Sequence, residues 1–124
     1  MFPKISYIIY DMDGLLLDTE SIHEKVNQEI ARRYDRTYDK CLKLKVAGRT
    51  TLESAKIIVD SLELSLTAEE YIKQRNEIIY QLYPTSKPLP GAVRLTQHFN
   101  SYNIPQAIAT SSSRRHFELK TINH

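Results

Sequence analysis

Ile5-Ser6-Tyr7-Ile8-Ile9-Tyr10-Asp11-Met12-Asp13-Gly14-Leu15-Leu16-Leu17-Asp18-Thr19-Glu20 is the stretch on which the fold turns. Its first six residues are a β-branched and aromatic run with little polar alternation. That pattern predicts a strand buried on both faces, as in a parallel sheet. The run stops at a polar turn, Asp11 to Gly14. From Asp18 the period changes: Ile22, Val26, Ile30 and Tyr34 recur every four residues, one apolar stripe on a helix. Asp18, Thr19 or Ser21 could cap it.

Further along, residues 39–46 read as a short helix ending at Gly48. Thr50 with Glu53 forms a capping box for the next helix, whose buried face is Leu52, Ala55, Ile58, Val59 and Leu62. Thr67 and Glu70 repeat the signal ahead of a helix that runs to Tyr83, where Pro84 stops it. Residues 84–91 hold three prolines and read as a linker. Ala92, Val93, Leu95 and Phe99 mark one more helix, and Asn103-Ile104-Pro105 a turn. Gln106-Ala107-Ile108-Ala109 is a second short strand of the buried type, ending in Thr110-Ser111-Ser112-Ser113. Strand, helical block, helix, strand is a βαβ unit with an insertion, which predicts an α/β fold.

The chain has 124 residues, 41% hydrophobic and 26% charged, as expected of one ordinary globular domain. Its single cysteine, Cys41, excludes a disulfide framework and a Cys-rich zinc module, and fits a reducing cytoplasm. The apolar runs near the start are too short to span a membrane. The first residues turn acidic too soon for a secretory signal. A net charge of +2, with Lys and Arg scattered, leaves no electrostatic footprint for nucleic acid. A monomer is expected.

Asp11 and Asp13 alternate along an extended backbone and so project to the same side, at the strand end that lines the ligand crevice of a parallel sheet. Two neighbouring carboxylates repel, and Mg²⁺ is the usual compensation: a hard cation that takes oxygen ligands and keeps waters for a phosphate. Like-charge proximity also raises one pKa, so one carboxylate can serve as nucleophile and the other as general acid and base. Gly14 lets the chain turn sharply away. The second strand brings Thr110 and three serines to the same crevice, where hydroxyls and helix-start amides can cradle phosphate oxygens. Either feature alone reads as a plain surface turn. Together, each at a strand's end, they point to a phosphate site.

Asp11-Met12-Asp13-Gly14-Leu15-Leu16-Leu17-Asp18-Thr19 resembles the first signature of the haloacid dehalogenase-like hydrolases, and Ala107-Ile108-Ala109-Thr110-Ser111-Ser112 the second. The stretch Leu52 to Gly91 looks like the small helical cap and re-entry segment of one branch. That branch includes pseudouridine-5′-phosphatase and related sugar-phosphate phosphatases. The resemblance implies an incomplete Rossmann-like parallel core over residues 1–18 and 87–124, with an all-helical cap over residues 19–86. It implies a Mg²⁺-dependent phosphatase of small phosphorylated metabolites: sugar or nucleoside monophosphates, pseudouridine 5′-phosphate among them. Asp11 would be the nucleophile and Asp13 the acid and base, both at the metal. Thr110, Ser111, Gly14 and Arg49 would meet the substrate or its phosphate, a solvated loop arginine being the equal alternative for Arg49.

Members of the family also carry a third-signature lysine and a fourth-signature acidic pair, which are expected beyond the N-terminal part represented here. Lys120 reads as a surface helix residue, too close behind Thr110 to be that lysine. Without those groups the 124 residues are expected to bind Mg²⁺ weakly and turn over little. His23, His98, His116 and His124 show no metal spacing. Cys41 reads as a small buried or half-buried residue, and Arg114-Arg115 as a solvated helix start. Two other readings compete: a catalytically silent, phosphate-binding relative, and a phosphoryl-accepting receiver domain. The helical insertion after Asp18 speaks against the receiver. Downstream coding sequence with a lysine and an acidic pair would separate enzyme from silent relative.

Overall fold

β-branched and aromatic residues need a cross-strand partner to form a strand, and here the partner is short. In a computed structural model describing residues 2–124, β1 is Ile8–Asp11 and β2 is Gln106–Ala109. Met1, with which the expected 1–18 segment begins, lies outside the described residues. The two strands pair in parallel with Ile8 opposite Gln106 and Asp11 opposite Ala109. The ladder opens where the Ile8 amide donates to the Pro105 carbonyl at 3.0 Å. Residues 5–7 of the expected strand therefore stand outside the pairing.

The expectation that β1 is buried on both faces does not hold. Tyr10 is buried, but Ile9 is 60% exposed and, on β2, Ile108 is 44% exposed. Only two strands pair among the described residues. On β1 the face carrying Ile9 and Asp11 is open, and on β2 Ala107, Ile108 and Ala109 are all exposed, so both faces of that strand meet water.

The helices are α1 (Glu20–Arg33), α2 (Lys40–Val46), α3 (Thr51–Ser61), α4 (Ala68–Leu82), α5 (Ala92–Ser101) and α6 (Arg114–Thr121). They form where amphipathic period and caps agree. Asp39 caps α2 by accepting from the Leu42 amide. Thr50 and Glu53 cap α3 reciprocally, the Thr50 amide donating to Glu53 at 2.9 Å and the Glu53 amide to Thr50 at 3.3 Å. Thr67 and Glu70 do the same ahead of α4, at 2.7 and 3.1 Å.

The chain divides into two compact units, residues Ser21–Leu82 and the segments on either side of it. The helical unit packs Val26, Ile30, Ile58, Tyr71 and Ile79 to near-complete burial. Inside it the Tyr71 hydroxyl donates to Asn27 at 2.7 Å. Cys41 is exposed rather than buried: it lies beside Leu42, the one buried residue of α2, on a side of the helix that its packing leaves free.

In the other unit the expected proline-rich linker is an ordered piece. Tyr83–Thr85 form a 3-10 turn, and residues 87–89 lie against residues 16–18. The Asp18 amide donates to Lys87 and the Leu89 amide to Leu16, each at 2.9 Å. Among the described residues no helix is long and apolar enough to cross a membrane.

Candidate active site

A cluster of polar side chains gathers just past the ends of β1 and β2. Asp11 closes β1 and is exposed. Met12, fully buried, anchors the chain, and its carbonyl accepts from the amides of Leu15, Leu16 and Leu17. That tight reversal needs a left-handed residue. Gly14 supplies it at φ +73°, its amide donating to Leu17 at 2.9 Å. Gly14 thus shapes the loop that returns Thr19 to the site.

Asp13 sits at the centre. Its Oδ1 accepts from the Thr19 hydroxyl at 2.8 Å and from the Lys120 ammonium at 2.7 Å. Its Oδ2 accepts from the Ser112 hydroxyl at 3.0 Å, with Thr110 Oγ1 at a longer 3.5 Å. Partial burial works to raise the Asp13 pKa. Hydrogen bonds from Lys120, Thr19 and Ser112, with the charge of Lys120, outweigh it and hold the carboxyl below its ordinary range.

Lys120 is the correction to the sequence reading. It is not a surface residue: it is 3% exposed and its ammonium bonds both Asp13 and Ser112, the latter at 2.9 Å. The reason is helical geometry. Ser113 caps α6 by accepting from the His116 amide, and His116, Phe117 and Lys120 then fall on one inward stripe while Arg114, Arg115 and Glu118 face out. The i, i+3 spacing from Phe117 to Lys120 was the signal available in the sequence. Ser112 was likewise only one of three equivalent serines until its hydroxyl was seen on Asp13.

Thr110 is half-buried and accepts from the Ser112 amide at 3.1 Å, a local turn that folds the serine loop toward β1. Ser111, next to it, is exposed. Asp11, Asp13, Gly14, Thr110 and Ser111 thus belong to one region of the strand unit. Arg49 belongs to the helical unit, between α2 and α3, where its Nε donates to the Lys45 carbonyl at 2.9 Å.

Mg²⁺ can be tested against these donors. Among the described residues no cluster of three or more His, Cys, Asp or Glu side chains is arranged to hold a metal. The Asp13 carboxylate is already taken up by cationic and hydroxyl donors. What remains is the exposed Asp11 carboxylate and the Asp13 main-chain carbonyl. That set fits a Mg²⁺ that keeps most of its waters, since this ion is commonly held by one or two protein oxygens with substrate phosphate completing the shell.

Residues 8–123 match the haloacid dehalogenase-like hydrolase family. The chain belongs to that family. Among its haloacid dehalogenase-like relatives, “(DL)-glycerol-3-phosphatase 1, mitochondrial” of Arabidopsis thaliana is 45% identical over 123 residues, covering 98% of this chain and 41% of the relative. A Drosophila melanogaster relative, “Probable pseudouridine-5'-phosphatase”, is 36% identical over 121 residues, covering 98% and 52%. A solved structure, of a provisionally named beta-phosphoglucomutase from Thermotoga maritima, superposes with a TM-score of 0.79 at 26% identity. The match covers 95% of this chain and 55% of that one. The chain spans about half the length of the relatives it matches.

Proposed function

We propose that this chain carries the nucleophile, the proton-transfer carboxylate and the phosphate cradle of a Mg²⁺-dependent phosphatase of small phosphorylated metabolites. The observation that carries the reading is the strand-end Asp11-x-Asp13 set beside Thr110 and Ser112 in the loop that follows the paired parallel strand. The relatives' names support, as the substrate class of this reading, a polyol, sugar or nucleoside monophosphate, pseudouridine 5′-phosphate included.

In this reading the exposed Asp11 carboxylate attacks phosphorus, and the ester oxygen leaves as an aspartyl-phosphate forms. Asp13 transfers the protons: it gives one to the departing oxygen and recovers one from the water that later cleaves the acyl phosphate. It must therefore take up a proton with the bound phosphate, against the lowered pKa of the free carboxyl. Thr110 and the Ser111 amide hold the phosphoryl oxygens, and Asp11 with the Asp13 carbonyl would hold the cation. Bound there, Mg²⁺ offsets the negative charge gathered between carboxylate and phosphate. The helical unit serves as the cap, moving on hinges near Asp18 and at residues 87–90, with Arg49 offered to the substrate. A cytoplasmic, monomeric enzyme completes the reading.

The test is Asp11→Asn with 4-nitrophenyl phosphate and Mg²⁺. An amide is a poor nucleophile, so turnover and covalent phosphate incorporation should both disappear. Wild-type turnover by the variant would move the nucleophile elsewhere. A second reading, a silent phosphate-binding relative, draws on the Asp13 carboxylate being wholly engaged by Lys120, Ser112 and Thr19. It would show as phosphate binding with no turnover in the wild-type chain.

A further inference from the structure

Lys120 has no role in the reaction sketched above, yet it is the most buried charged group in the strand unit's polar cluster. Its ammonium lies 4.6 Å from the centroid of the Tyr83 ring, itself buried and edge-on to His116 at 5.4 Å. The Lys120 carbonyl accepts from the Ser86 hydroxyl at 2.9 Å. Backbone and ammonium are therefore both fixed.

A packing role does not explain a lysine here. Withdrawing an ammonium from water is costly, and a buried ion pair is commonly no more stabilising than apolar residues of the same volume. What the lysine adds is direction. An ammonium has donors and no acceptor, so the Ser112 hydroxyl must accept from Lys120 and spend its one proton on Asp13 Oδ2. Lys120 and Thr19 meanwhile occupy Oδ1. One cation thus fixes both oxygens of the carboxylate, directly and through a serine.

We infer that Lys120 is a positioning residue that sets the orientation of Asp13 for proton transfer, with Ser112 as its relay. The inference rests on the phosphatase reading, and its test separates the two.

The experiment is a double-mutant cycle on the full chain, with 4-nitrophenyl phosphate and Mg²⁺. Lys120→Met should lower kcat about 10–100-fold, the usual cost of removing a group that orients a reacting side chain. KM should stay within about 2-fold, because the lysine touches Asp13 and not the substrate. In an Asp13→Asn background the same substitution should cost less than about 2-fold, because there is no longer a carboxylate to orient. Ser112→Ala removes no buried charge. It should show a smaller loss that also vanishes with Asp13→Asn, and it decides the matter if Lys120→Met does not fold. Losses that multiply across the cycle, or an unchanged kcat, overturn the positioning role and leave the phosphatase reading standing. No hydrolysis by folded wild-type chain overturns both.

Discussion

Asp13 accepts from four side chains at once, and that environment has a pH signature. Its folded pKa is depressed below the ordinary 3.8. The stability it contributes is therefore present above that value and lost as pH falls through the lower folded pKa. Urea unfolding of wild type and Asp13→Asn between pH 7 and 2 should show this: the difference is steady at neutral pH and shrinks only in strong acid. Glu29 and Glu53 are also lowered, by Arg32 and by Thr50, but their acid loss is common to both proteins and cancels. A difference that grows toward low pH would contradict the assigned sign. At this scale the sequence spoke unevenly. The placement of Asp11, Asp13 and Gly14 at and just past the end of β1 was legible because a strand followed by a polar turn fixes the path of the backbone there. Lys120 was not, because its partner lies 107 positions earlier and only the fold brings them together.

Elements announced by short-range signals were the most legible. The capping boxes at Thr50 and Thr67 are reciprocal bonds between residues three apart, so nothing beyond the local chain is needed to form them. Thr50→Ala should destabilise the chain by about 0.5–2 kcal/mol, read from the urea midpoint at unchanged m. No shift would mean that α3 is held by its packing alone. β1 was less legible, since a strand's length is set by its neighbour. Ile5 to Tyr7 have the composition of a strand, but β2 offers four residues and no more. The supposed linker at 84–91 was misread for a related reason: prolines mark irregular backbone, yet Leu16 and Lys87 supply carbonyls that tie it down.

The whole chain is two compact units, each with its own buried side chains, and their energetics should separate. Ile30 is completely buried in the helical unit, so Ile30→Ala should cost about 2–5 kcal/mol. In native-state hydrogen exchange, protection should fall across Ser21–Leu82 while β1, β2 and α6 keep theirs. Equal loss throughout would show one cooperative body. The parallel pairing of β1 with β2 has a further consequence, in time rather than in space. Ser112 reaches Asp13 across 99 positions of chain, a closure that local helices do not have to make. At about 5–20 residues per second of synthesis, the aspartates leave the ribosome seconds before the serine loop exists. The helical unit lies between them in the sequence and can fold in that interval, so the polar cluster around Asp13 closes only when the serine loop arrives, after the first strand has waited.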